Sequence, residues 1–157
     1  MIEVSTLQLD LDQAEDSVGY LLGRSKTMIS RALDEALRTL DITHTQGSVL
    51  LLLMSGKCDT AASLARDLFI DSAAMKRTLD KVESRGFIHR AANPQDRRLF
   101  QLELTETGLA IAQRLPSIYR SVLDTSFTGF SQEEIGFLKS LLRKLLQNKG
   151  LLETKQH

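Results

Sequence analysis

Residues 87–104 constrain the fold of this chain more than any other stretch. Two short β-prone runs, FIHRA and LFQLEL, are joined by NPQDRR, a segment holding a proline, an aspartate and two adjacent arginines. Alternating runs on either side of turn-forming residues read as a β-hairpin. Nearly everything around them has helical spacing. Two arginines at the tip of a hairpin have nothing of their own chain to pack against, which points the tip at something other than protein.

The helices follow from apolar periodicity and capping residues. From about Asp16 to Leu40 the apolar positions Val18, Leu21, Leu22, Met28, Ile29, Ala32, Leu33, Ala36, Leu37 and Leu40 recur at helical spacing. DITHTQ breaks that pattern, and Thr43 or Thr45 caps a second helix through Met54 that ends at Gly56. Thr60 caps a short helix that buries Leu64, Ala65 and Leu68. FID makes a tight turn, and Asp71 or Ser72 caps a longer helix with Met75, Leu79 and Val82 inward. Arg85 lies in its last turn and Gly86 at its stop, as helix ends prefer. After the hairpin, Thr105 caps a long helix to about Phe127. Pro116 sits in its interior, so a kink is expected there. Ser131 and Glu134 form a capping box for a last helix carrying Ile135, Leu138, Leu141, Leu142, Leu145 and Leu146. Residues 1–13 read as an irregular arm with Leu7, Leu9 and Leu11 free to pack on a partner.

A short helix, a tight turn, a second helix and then a hairpin make a winged helix-turn-helix. The fold class is therefore mainly α with a small β-hairpin wing. The 157 residues suit one domain. A lobe at about 42–104 carries the motif, and regions at about 1–40 and 105–157 have more apolar residues than that lobe can cover. Exposing them would leave a patch that monomers avoid, so a symmetric homodimer is expected.

Composition excludes several classes. The longest apolar run, VLLLLM at 49–54, is far short of the ~18 residues that span a bilayer. No basic region followed by an apolar core opens the chain, so no signal peptide is expected. One cysteine forbids an internal disulfide, and the simplest compartment is the cytoplasm. Formal net charge is zero. Within residues 72–98, however, seven bases (Lys76, Arg77, Lys81, Arg85, Arg90, Arg97, Arg98) face three acids (Asp80, Glu83, Asp96). That local excess suggests a polyanion partner, the alternative being a solvated charged face.

With these residues in place, the chain resembles the MarR family of bacterial transcriptional regulators, the multiple-antibiotic-resistance type. The likeness lies in LDKVESRGFIHR (79–90), DRR (96–98) and LTETG (104–108), with LARDL (64–68) before them. It covers most of the chain. Two positions depart from the family pattern: Ala73 and Ala74 stand where hydroxyl residues are usual, and Leu99 stands where alanine is usual after the wing arginine. The resemblance implies a homodimer on double-stranded DNA with an inverted-repeat operator.

The second helix of the motif should then lie in the major groove, offering Ser72, Ala73, Lys76, Arg77 and Lys81 from its outer face. Ser72 can meet a phosphate or a base edge, Ala73 a thymine methyl, Arg77 a guanine, and Lys76 a base or a phosphate. The wing needs a thin cationic tip for a narrow minor groove, and Arg98 fits that role. Arg97 and Arg90 are expected on phosphates. Asp96 would be repelled by DNA and is read as holding a guanidinium at a fixed angle. The alternative for DRR is a surface salt bridge.

The resemblance also implies a small aromatic acid as effector, bound between dimerisation helices and DNA-binding lobe, so that a repressor is released. Tyr20, Arg24 and Met28 share one helix face at i, i+4 spacing, with His44 and Gln46 beginning the next helix. The plainer alternative makes Arg24 a surface residue and His44 a local cap partner. Cys58 is read as structural, with redox sensing as an alternative. An architectural or adaptor protein using the winged helix without an effector is another. His44, His89 and His157 lack metal-ligand spacing, LDLDQAED lacks the glycine of a calcium loop, and no catalytic cluster or phosphate loop is present. Neither metal, cofactor nor enzyme activity is expected.

Overall fold

The computed structural model describes residues 11–96 and 98–150, and of residues 11–13 the backbone only. Leu7, Leu9, Leu151, Leu152, Arg97 and His157 lie outside the described residues, as does the side chain of Leu11.

The helical stretch expected from Asp16 to Leu40 is divided. A 3₁₀ turn spans Leu11–Asp16, helix α1 spans Val18–Leu37, and a second 3₁₀ turn covers Arg38–Leu40. Ser17 caps α1 by accepting the amide of Tyr20. Asp41 ends the run in the left-handed region (φ 53°), which aspartate tolerates better than most residues. Helix α2 (His44–Met54) starts from Thr43, not Thr45. Thr43 Oγ1 accepts the Gln46 amide and Gln46 Oε1 accepts the Thr43 amide, a reciprocal capping box. The His44 amide, one of the four that a helix start leaves unpaired, donates to Asp34 Oδ1 of α1 at 2.7 Å, and the imidazole Nδ1 lies 3.0 Å from the same oxygen.

Thr60 caps helix α3 (Ala61–Leu68) with Ser63 in the reciprocal position. The turn to helix α4 (Ser72–Ser84) passes through Phe69 at φ 52°. Asp71, rather than Ser72, is the α4 cap and accepts the Ala74 amide at 2.8 Å. Gly86 (φ +70°) then allows a closing pattern in which the Phe87 amide reaches back to the Val82 carbonyl and the Gly86 amide to that of Glu83. That return takes Phe87 out of the ladder, so strand β1 (Ile88–Ala92) begins one residue later than the sequence suggested. Strand β2 (Phe100–Leu104) also starts one residue late, and the two run antiparallel from Ile88 opposite Leu104 to Ala92 opposite Phe100. The main chain of Asp59 extends the ladder by accepting the Leu102 amide at 2.7 Å.

Helix α5 (Glu106–Ser126) is assigned as one helix through Pro116, so the proline does not end it. The described residues form two compact units that divide after Leu123. In the first, one core gathers Leu37, Leu40, Val49, Leu50, Leu64, Met75, Leu79, Val82, Phe87, Ile88, Leu102, Ala112 and Leu115. The start of α5 therefore belongs to the same core as the helix-turn-helix. In the second unit, helix α6 (Gln132–Gln147) opens with the expected Ser131–Glu134 box, and the rings of Phe127 and Phe130 meet edge to face at 5.3 Å. No α6 residue is buried, and Phe137, Leu141, Leu145 and Leu146 are exposed. No helix of the described residues is long and apolar enough to cross a membrane.

The root of the wing is the tightest point of the fold. The Thr105 amide donates to the Phe87 carbonyl at 3.0 Å, while the Thr105 hydroxyl donates to the Gly86 carbonyl and accepts the Gly108 amide. A Cβ on Gly108 would stand 1.8 Å from the Phe87 oxygen. Backbone must move for any side chain there, so Gly108→Ala is expected to destabilise by about 3 kcal/mol or more. A melting temperature within 2 °C or so of the parent would contradict that.

Asp34 gives a second check. Partial burial raises its pKa, but the backbone amide and imidazole of His44 outweigh this and hold the carboxyl below its ordinary value of 3.8. A depressed carboxylate stabilises fully above that ordinary value, and the contribution is lost as pH falls through the folded value. Asp34→Ala should cost about 1 kcal/mol at neutral pH as a lost cap. The gap in melting temperature between parent and variant should close on acidification below the ordinary carboxylate range.

Candidate nucleic-acid interface

Helix α4 is amphipathic in the sense required for reading a duplex. Met75, Leu79 and Val82 are buried, and Ser72, Ala73, Lys76, Arg77 and Lys81 are exposed. Ser72 is the first residue of the helix, next to the Asp71 carboxylate that accepts the Ala74 amide, and its side chain is open to solvent. The α3–α4 pair and the wing enclose a cleft of about 460 Å³, lined in part by Thr60, Ser72, Lys76, Arg90, Arg98 and Phe100. Four of the expected DNA-contacting residues thus share one concave surface.

The wing tip is built by short side-chain turns. Asn93 Oδ1 accepts the Gln95 amide, and the Asp96 carboxylate accepts the Arg98 amide at 2.9 Å. The Leu99 amide closes on the Asp96 carbonyl. Toward Arg98, then, Asp96 holds the main chain and not the guanidinium that the sequence reading gave it. The reason is local: an aspartate two residues before an amide forms an Asx turn more readily than it reaches a long side chain. Leu99 and Phe100 beside the tip are exposed, so the wing surface is not purely cationic.

The bases of residues 72–98 are not equivalent. Lys76 Nζ lies 2.9 Å from Asp80, and Arg90 bridges Asp80 (2.8 Å) and Glu83 (3.3 Å). Arg85 turns away altogether. Its guanidinium donates to the carbonyls of Asp41 and Leu40 and lies 4.7 Å from the ring centre of Phe87, tying the end of α4 to the loop before α2. Arg77, Lys81 and Arg98 form no side-chain ion pair among the described residues. The Lys76–Asp80 pair was open to detection from its i, i+4 spacing. The partners of Arg90 and Arg85 lie at 7 to 45 residues' separation and carried no sequence signal.

The five-residue effector site does not assemble. Tyr20, Arg24 and Met28 line one open cleft on α1, with the Arg24 guanidinium 5.5 Å from the Tyr20 ring centre. His44 and Gln46 line another, with Asp34, Arg77 and Lys81. A helix rises about 1.5 Å per residue, so Arg24 stands roughly 15 Å along α1 from the Asp34 that holds His44. Gln46 is 8 % exposed and occupied in the capping box, and the His44 carbonyl accepts the Tyr119 hydroxyl at 2.9 Å. In this arrangement Gln46 is held in the capping box of α2 and His44 by Asp34 of α1. Cys58 is buried in the core just before α3, at 5 % exposure. Among the described residues no group of histidine, cysteine or carboxylate side chains is arranged to hold a metal ion.

Comparison with known proteins agrees with this geometry. The MarR family model matches residues 42–100, from the loop before α2 to the first residue of β2. The chain is 33 % identical over 130 residues to the multiple antibiotic resistance protein MarR of Escherichia coli, covering 80 % of this chain and 90 % of that protein. An E. coli MarR cysteine-to-serine mutant solved in complex with operator DNA is similar at TM-score 0.76 and 31 % identity, over 82 % of this chain and 93 % of that one. The MepR–DNA complex of Staphylococcus aureus is similar at TM-score 0.75 and 25 % identity, over 84 % and 98 %. With α4 buried along one face, a basic-tipped wing and this extent of identity, the chain belongs to the MarR family.

Proposed function

We propose that this MarR-family transcriptional regulator, which is not an enzyme, acts as a homodimeric repressor on an inverted-repeat DNA operator. The observation that carries the reading is the division of α4: its apolar side is spent on the core, and Ser72, Ala73, Lys76, Arg77 and Lys81 are left in solvent beside a wing that presents Arg98. The E. coli and S. aureus proteins solved with DNA support it by likeness. In this reading residues 42–104 form the DNA-binding lobe, and 1–40 with 105–157 the dimerisation region. Two α4 helices would then stand about one duplex turn apart, roughly 34 Å. A small aromatic acid that releases the repressor is part of the proposal by family likeness, with Tyr20, Arg24 and Met28 as its candidate contacts.

Binding to duplex DNA should weaken steeply with salt, by about 0.9 log units in affinity per log unit of salt for each phosphate contact. Arg98→Ala should weaken binding strongly without moving the melting temperature, because the wing tip adds nothing to the core. Arg77→Ala should instead relax base preference at one operator position by about 1–3 kcal/mol. Gel shifts over a salt series check all three. Affinity that stays flat from low to physiological salt, or a parent-like Arg98→Ala, would refute the assignment.

The exposed apolar residues of α6 give the dimer its test. Removing residues 131–157 should abolish both dimerisation and tight DNA binding. Sedimentation of the full chain as a monomer at micromolar concentration, or tight binding by the truncated chain, would contradict the dimer.

A further inference from the structure

One acid on the outer face of α4 holds two of the cations ascribed to DNA contact. Asp80 stands one turn beyond Lys76, with Oδ2 at 2.9 Å from its ammonium. Its other oxygen takes Arg90 Nη2 of β1 at 2.8 Å. Arg90 Nε turns to Glu83 at 3.3 Å. Helix and wing are thus bridged through Asp80 and Glu83, of which Asp80 alone also holds Lys76, at the edge of the cleft that Ser72 and Arg98 also line. Lys76 and Arg90 keep the Asp80 carboxyl below its ordinary range. The groups remain partly open to solvent, and exposed ion pairs of this kind add little to folding. Their value has to be sought elsewhere.

The charges suggest where. Lys76, Asp80, Glu83 and Arg90 sum to zero, so this cluster offers no net attraction to a phosphate backbone. A phosphate that recruits Lys76 or Arg90 must break an existing ion pair and approach a carboxylate. A duplex of arbitrary sequence offers only the phosphate in return. A duplex whose base edges fit α4 offers hydrogen bonds in addition.

We propose that Asp80 is a specificity-determining residue, keeping Lys76 and Arg90 paired within the protein so that only a duplex fitting α4 draws them onto DNA. The proposal rests on the DNA-binding reading above. It concerns discrimination, which is the ratio of two affinities, and not affinity for either duplex.

The test compares the full-length protein with Asp80→Asn and Asp80→Glu. The probes are a duplex selected from a random pool by the unaltered protein, and the same duplex with its sequence scrambled. Releasing one cation onto a phosphate adds about 0.9 to the salt slope, or about fivefold in affinity at 0.15 M salt. Asp80→Asn should therefore bind the scrambled duplex about fivefold or more tightly, with a slope steeper by about one, and its selected-to-scrambled ratio should fall by a similar factor. Asp80→Glu, which keeps the charge and can reach both partners, should hold parent values. Melting temperatures of all three should agree within about 2 °C. Parent-like affinity and slope in Asp80→Asn would overturn the proposal. So would an equal loss on both duplexes, which would make Asp80 a mere brace for the wing. Absence of binding to either duplex by the unaltered protein would overturn the DNA-binding reading itself, and is read without any variant.

Discussion

The carbonyl of Phe87 is the point on which the aim of the wing depends. The Phe87 amide is held by the last turn of α4, the Phe87 oxygen takes the amide of Thr105 just before α5, and Gly108 passes against it with no room for a side chain. Three elements are fixed at one peptide. The strands rise about 3.3 Å per residue, so the tip lies roughly 17 Å away, and a tilt of about 10° at the root would carry it about 3 Å. That is the length of a hydrogen bond. A wing meant to deliver a guanidinium to a defined place needs a root this tight, and Thr105 with Gly108 supplies it. The LTETG motif is thus explained by packing before any partner is considered.

Much of this was legible in the sequence because it is local. Caps at Thr60, Thr105 and Ser131, the stop at Gly86 and the inward triad Met75, Leu79 and Val82 all stand where residue type and spacing put them. Choices between neighbours were not legible. Thr43 won over Thr45 because Gln46 returns the bond, and Asp71 won over Ser72 because the chain leaves its turn with Asp71 extended. The division of the five effector candidates between two clefts has a related cause. Periodicity places residues on a face of one helix, and it says nothing of how far along that helix the next one docks.

Charge shows the same limit more sharply. Seven bases against three acids reads as a uniform basic segment. Folding sorts the six described bases into three kinds: Arg85 is spent on carbonyls near Asp41, Lys76 and Arg90 share carboxylates, and Arg77, Lys81 and Arg98 are left without such partners among the described residues. A linear count overstates the field available to a phosphate backbone. Where the counted charges sit, and what they already hold, decides how selective that field is.

Pro116 changes the mechanics of α5. A proline has no amide to donate, so the Ala112 carbonyl loses its partner one turn back, and the ladder has a missing rung immediately after the buried Leu115. In engineering terms α5 is a notched beam. Its first turns are clamped by the Phe87 carbonyl and by the core, and beyond the notch it is held again, where Ile118 and Tyr119 pack on that core and the Tyr119 hydroxyl donates to the His44 carbonyl. A load applied beyond Tyr119 meets that second anchor before it reaches the notch. Alanine at the same position would restore the missing rung, and α5 would run as a uniform rod between its two anchors.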